Sequence, residues 1–125
     1  MPRSTVTDPH APEPVGPYSH AAAHPDGTLF LSGQAAIDPA TGRLIDGDIE
    51  AQTRRVFANL ESVLAAAGRS FDDVVKVNVY LADIEDFAAM NRVYATVFTA
   101  PYPARTTVAV AALPLGARVE IELVA

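Results

Sequence analysis

Arg105 and Glu120 are the two residues of this chain whose types could carry a reaction together. Arg105 follows Pro103-Ala104 at the start of a β-branched run, where a rigid turn can hold its stem. A planar guanidinium grips a carboxylate through two parallel hydrogen bonds. Glu120 lies between Val119 and Ile121 in the last such run. A carboxylate placed there can hold and polarise a water molecule. The two together suit hydrolysis of a small electrophile that carries a carboxylate. From spacing alone, an Arg105–Glu120 ion pair that only ties a sheet together is the commoner outcome.

Tyr18 follows Gly16-Pro17, so a rigid turn presents it. Its hydroxyl can orient substrate or water, or its ring can simply pack down the segment before it. Ser32-Gly33-Gln34 closes an apolar run. Without a side chain, Gly33 lets a ligand approach backbone N–H and C=O groups, and it serves a strand-ending turn equally well. His20 and His24 would share a face only in a helix, and they lack the glutamate of an HExxH pattern, so no metal site is expected. A Gly-rich phosphate loop and a serine elbow are both missing. With no cysteine, the chain has no thiolate nucleophile, disulfide or cysteine-ligated metal.

Half of the 125 residues are hydrophobic and 19% are charged, which fits one globular domain. The net charge is −6, and the only close basic pair is Arg54-Arg55 on a predicted helix face. That field repels phosphate backbones, so nucleic acid is not an expected partner. The N-terminal stretch lacks the apolar core of a signal peptide, and no run approaches the roughly 18–20 apolar residues of a membrane span. A cytoplasmic protein without membrane contact is expected.

The elements that must position these residues follow from pattern. Residues 1–15, with four prolines, read as an irregular, flexible arm ahead of a single domain over 16–125. Asp26-Gly27 predicts a hairpin turn between two short strands. Asp48 can cap a helix over 48–67, whose apolar residues recur at helical spacing up to Gly68. Residues 72–81 alternate as a strand, with Val75, Val77, Val79 and Leu81 on one face. A second helix, capped by Asp83 or Asp86, carries Phe87, Met90, Tyr94, Val97 and Phe98. Pro101 and Pro103 prevent its continuation.

Two last strands are predicted at 105–111 and 118–124. Arg105 and Thr107 share one face of the first, and Glu120 and Glu122 the polar face of the second. Arg105 and Glu120 are therefore expected to emerge from the polar sides of two strands in the same sheet. The order β-β-α-β-α-β-β predicts an α+β sandwich, with two helices on one face of a mixed sheet. The second face is left to bury itself against identical subunits.

These strings resemble the Rid (reactive intermediate deaminase) family, most closely its RidA group. The matching segments include Gly16-Pro17-Tyr18-Ser19, Leu31-Ser32-Gly33-Gln34, 73–81, 87–94, Tyr102-Pro103-Ala104-Arg105-Thr106-Thr107-Val108 and Val119-Glu120-Ile121-Glu122. The resemblance implies a chorismate-mutase-like fold and a homotrimer with three clefts between subunits. It implies hydrolysis of 2-imino acids and their enamine tautomers, among them 2-aminoacrylate, 2-iminopropanoate and 2-iminobutanoate, to 2-keto acids and ammonia, with no cofactor. Arg105 would bind the substrate carboxylate, Glu120 would place the water and Tyr18 would orient the reacting groups. Ser32, Gly33, Asn91 and Thr107 would line the cleft. Thr107 stands where RidA proteins often carry cysteine, which removes a thiol's reactivity toward oxidants. The competing readings are a non-catalytic module that binds small carboxylates and, as a lesser one, a ribonuclease or translation inhibitor.

Overall fold

The computed structural model describes residues 2–125. Asp48 caps the long helix α1 (Ile49–Ala66), its carboxylate accepting the Ala51 N–H at 2.9 Å. The face of α1 that carries Val56, Leu60, Val63 and Leu64 is fully buried. Gly68 then adopts φ +74°, a left-handed stop that suits glycine, and the Arg69 N–H returns to the Leu64 carbonyl. The second helix, α2 (Phe87–Val97), follows a 3-10 turn over Ile84–Asp86. Asp83 caps that turn, while the Asp86 carboxylate caps nothing and instead pairs with Arg118 at 3.0 Å.

Both helices pack on a six-stranded sheet of β1 (Ser4–Val6), β2 (Ala21–Ala23), β3 (Leu29–Gln34), β4 (Lys76–Leu81), β5 (Ala104–Ala109) and β6 (Val119–Val124). Its spatial order is β1-β2-β3-β6-β4-β5, with β4 and β5 parallel and the other neighbours antiparallel. This is the α+β sandwich expected, with two helices on one face of a mixed sheet. Val77, Val79 and Leu81 of β4 and Val119, Ile121 and Leu123 of β6 form the centre of the core, each at most 1% exposed. Each such side chain contributes about 1.5–3 kcal/mol on burial. Phe57, Phe71, Tyr94 and Phe98 extend the core beside α2 as an edge-to-face aromatic cluster.

The arm departs from its expected irregularity. Ser4–Val6 pairs with Ala21–Ala23 as an edge strand, and Asp8 and Ala11 are buried. Short β-prone residues between prolines suffice at an edge, where proline needs no ladder partner. The buried His20 ties the rest down. Its Nδ1 accepts the Asp8 N–H at 2.9 Å and its Nε2 donates to the Pro12 carbonyl at 2.8 Å. Those roles require the neutral ring protonated on Nε2. The Asp8 carboxylate in turn accepts from the Ser62 hydroxyl of α1.

The second sheet face has no helix over it. Phe30 and Val108 stand 51% and 40% exposed there. Between them lie the polar residues Lys76, Asn78, Tyr80, Thr106, Glu120 and Glu122, which register puts on that same face. No helix of the described chain is long and apolar enough to cross a membrane.

Candidate active site

A bulge in β3 builds one half of the site. Leu31 pairs with Leu123 and Gln34 with Ile121, so β3 carries one residue more than β6 over that stretch. Such an insertion re-aims side chains and bends the strand. Here it carries Ser32 and Gly33 over the neighbouring β6. A Cβ on Gly33 would lie only 3.1 Å from the Glu120 carboxylate, so glycine is what permits this approach. The Ser32 hydroxyl donates to the Ser19 carbonyl at 2.6 Å, and the Ser32 N–H donates to the His20 carbonyl. Those bonds fix the segment that carries Tyr18. The Tyr18 ring is 46% exposed, and its hydroxyl accepts the Val15 N–H at 3.2 Å.

Tyr18, Ser32, Gly33 and Glu120 together line a cleft of about 740 Å³, walled on its far side by the arm from Pro9 to Val15. The Glu120 carboxylate accepts no hydrogen bond among the described residues. Burial first, and then the charge of Glu122, push its carboxyl above the ordinary carboxylate range. A carboxylate of raised basicity beside open space is suited to take a proton from water.

The other half is built on the edge strand β5. The Arg105 guanidinium carbon lies 4.5 Å from the centroid of the Tyr94 ring and 5.5 Å from that of Phe87. Its Nη1 donates to the Asn91 Oδ1 at 2.7 Å. Thr107, two residues along the same face, keeps a buried hydroxyl oxygen with no hydrogen-bond partner, and so does Tyr94. A buried hydroxyl without a partner costs stability unless a ligand or water satisfies it. No acidic side chain pairs with Arg105 among the described residues.

The two halves do not meet within one chain. Arg105 is in register with Val77 and Thr107 with Val79, and both valines face the helices. Glu120 is in register with Tyr80, on the opposite face. Arg105 and Glu120 thus emerge from opposite faces of the sheet, and the ion pair between them that spacing alone favoured is not formed. Strand β4 lies between β5 and β6, and its hydrogen-bond register sets which faces coincide.

The model of the family described as Endoribonuclease L-PSP, which is the Rid family, matches residues 8–125. The chain belongs to the Rid family. Protein DfrA of Myxococcus xanthus is 47% identical over 126 residues, covering 100% of this chain and 96% of its own. The 2-iminobutanoate/2-iminopropanoate deaminase of Mus musculus is 43% identical over 123 residues, covering 98% and 90%. Among solved structures, the Rid-family protein YyfA of Yersinia pestis superposes with a TM-score of 0.95 at 43% identity, covering 99% of this chain and 98% of its own.

In this Rid protein the predicted residues thus divide into two groups. Tyr18, Ser32, Gly33 and Glu120 share the cleft, whereas Arg105, Asn91 and Thr107 gather at the β5 edge. Asn91 was expected to line the cleft, and its Oδ1 is bound to Arg105. Phe87 and Tyr94 were read only as the apolar stripe of α2. The signal that they do more was Asn91, a polar residue at helical spacing between them.

Proposed function

We propose that this Rid protein hydrolyses 2-imino acids and their enamine tautomers to 2-keto acids and ammonia, in clefts shared between copies of the chain. One observation carries the reading. Arg105 and Glu120 lie on opposite faces of one sheet, each without a charged partner among the described residues. A second copy seated on the open sheet face would bring its Arg105 to the cleft beside Glu120. Closed assembly of three copies forms three such clefts and covers Phe30 and Val108. The deaminase name borne by relatives from mouse, goat, cattle and human, 42–45% identical, supports the chemistry.

The reaction follows from the groups present. Arg105 of one copy clasps the substrate carboxylate, which fixes the imine carbon near the water. Glu120 of the neighbouring copy accepts a proton as the water oxygen bonds to that carbon, and the C=N π electrons move to nitrogen. Glu120 then returns the proton to nitrogen. A second relay through Glu120 takes the proton of the new hydroxyl and delivers it to nitrogen as the C–N bond breaks, so that ammonia leaves and a C=O remains. Enamines such as 2-aminoacrylate first tautomerise to 2-iminopropanoate, and 2-iminobutanoate reacts directly. No covalent intermediate with the protein is needed.

Mixed assembly tests the reading. Arg105→Ala and Glu120→Gln should each abolish acceleration of keto-acid release from an imine generated in situ. Subunits of the two variants, unfolded together and reassembled, should restore about a quarter of the clefts, because a cleft is whole only when each neighbour supplies its intact half. Wild-type protein that leaves the rate unchanged, or a mixture no more active than its parents, would overturn the proposal. The family description names an endoribonuclease, but the net charge of −6 and the lack of a basic stripe argue against an RNA substrate.

A further inference from the structure

We infer that Phe87 and Tyr94 are positioning residues that hold the flat face of Arg105 and so leave its hydrogen-bonding edge free for the substrate carboxylate. The inference rests on the reading above, in which Arg105 takes that ligand. An arginine on an edge strand has a long, flexible stem, and its freedom must be lost before two parallel hydrogen bonds can form. The usual restraint is an acidic partner. Such a partner occupies the same N–H edge that a substrate needs, and it cancels the charge.

This chain uses a different restraint. Both rings come from α2, two turns apart, and the guanidinium carbon lies 4.5 Å from one centroid and 5.5 Å from the other. Aromatic faces attract a cation through their quadrupole without accepting its N–H groups in the guanidinium plane. The rings therefore restrict tilt. Asn91, on the same helix between them, restricts rotation within the plane through a single bond to Nη1. The remaining N–H donors of Arg105 meet no acceptor among the described residues.

The ring face of Tyr94 carries the effect, not its hydroxyl, which is buried and has no partner. Burial also pushes its phenol pKa up, partly offset by the Arg105 charge, so the ring stays neutral. Tyr94 is itself held by Phe57 and Phe98, at centroid distances of 6.0 and 4.8 Å. Phe87 stands at the rim, 36% exposed, where substitution leaves the core intact.

Steady-state kinetics on the full chain with 2-iminobutanoate tests this. Phe87→Leu and Tyr94→Leu should each raise KM by roughly 3- to 30-fold, the range of a partly desolvated cation–aromatic contact. Loss of binding shared by ground and transition states should leave kcat within about twofold. Phe87→Tyr and Tyr94→Phe keep a ring face and should return KM to near the wild-type value. A wild-type KM in Phe87→Leu overturns the inference, and that rim variant decides alone should Tyr94→Leu fail to fold. A Tyr94→Phe protein as impaired as Tyr94→Leu also overturns it, because the hydroxyl would then be the active element. If the wild-type protein turns over no imine, the hydrolase reading fails separately, and calorimetric affinity for 2-ketobutyrate replaces KM. Unchanged affinity in Phe87→Leu, or no binding to wild type, then overturns the inference.

Discussion

Adding one methyl group at Gly33 isolates the role of Glu120 without touching its charge. The new Cβ would lie 3.1 Å from the Glu120 Cδ and Oε2 and 3.2 Å from its Cγ. Ordinary carbon contacts begin near 3.5 Å, so the side chain must retreat by a few tenths of an ångström. Because Cγ is crowded too, rotating the carboxylate end alone does not relieve the contact. The backbone accepts alanine, since Gly33 is not among the residues with positive φ. Lower entropy of the unfolded chain favours alanine by about 0.4–1 kcal/mol, against an overpacking cost of about 1–3 kcal/mol. The net loss of stability should lie between about 0 and 2.6 kcal/mol, and the protein should fold. Misplacing a catalytic group by about 1 Å costs on the order of 100-fold, so a displacement of about half that predicts roughly a tenfold fall in kcat. The assay is imine hydrolysis, with the melting temperature and oligomer mass as controls. A folded Gly33→Ala protein with wild-type kcat would refute the idea that this close approach sets the position of the carboxylate proposed to hold the water.

Three further outcomes follow from the same structure. The ionised Glu120 is disfavoured by burial and by Glu122, so its folded-state pKa exceeds the unfolded value and the penalty is present at neutral pH. Glu120→Gln should therefore melt higher than wild type at about pH 7, with the advantage shrinking as pH falls through the raised folded value and gone below about 4, near the unfolded glutamate value. Equal melting at both pH values contradicts it. Leu60, fully buried in α1, should cost about 2–5 kcal/mol when changed to alanine, measured by urea unfolding, and a loss below about 1 kcal/mol would remove it from the core. Val108→Asp places a charge on the open sheet face and, on the proposed assembly of three copies, should lower the sedimenting mass toward one chain, together with loss of turnover. An unchanged oligomer mass would exclude that face as the assembly surface.

Local features were legible because they depend on neighbours in sequence. Asp48, the apolar spacing through Leu64 and the stop at Gly68 define α1 without reference to anything else. The alternation of β6 likewise separates Ile121 from Glu120. What alternation does not state is how the faces of two strands relate when a third lies between them. The side of the sheet that Arg105 takes depends on the pairing of Val77 with Arg105 and Leu123, a long-range matter of register. Its polar neighbours also mislead, because an edge strand is covered only in part and tolerates Arg105 and Thr107 on the helix side. The bulge at Ser32-Gly33 left a glycine in the sequence but no mark of the extra residue. Strand β1 is three residues long, too short for a period, and its partner supplies what its own sequence does not.

The His20 clasp has a practical side. It joins the Asp8 amide, the Pro12 carbonyl and the strand that bears Ser32, so the leading segment is both the border of the sheet and a bank of the cleft. Anything fused ahead of Ser4 for purification or labelling pulls on that bank directly. Recombinant preparations that differ only in their leading tag would then differ in turnover.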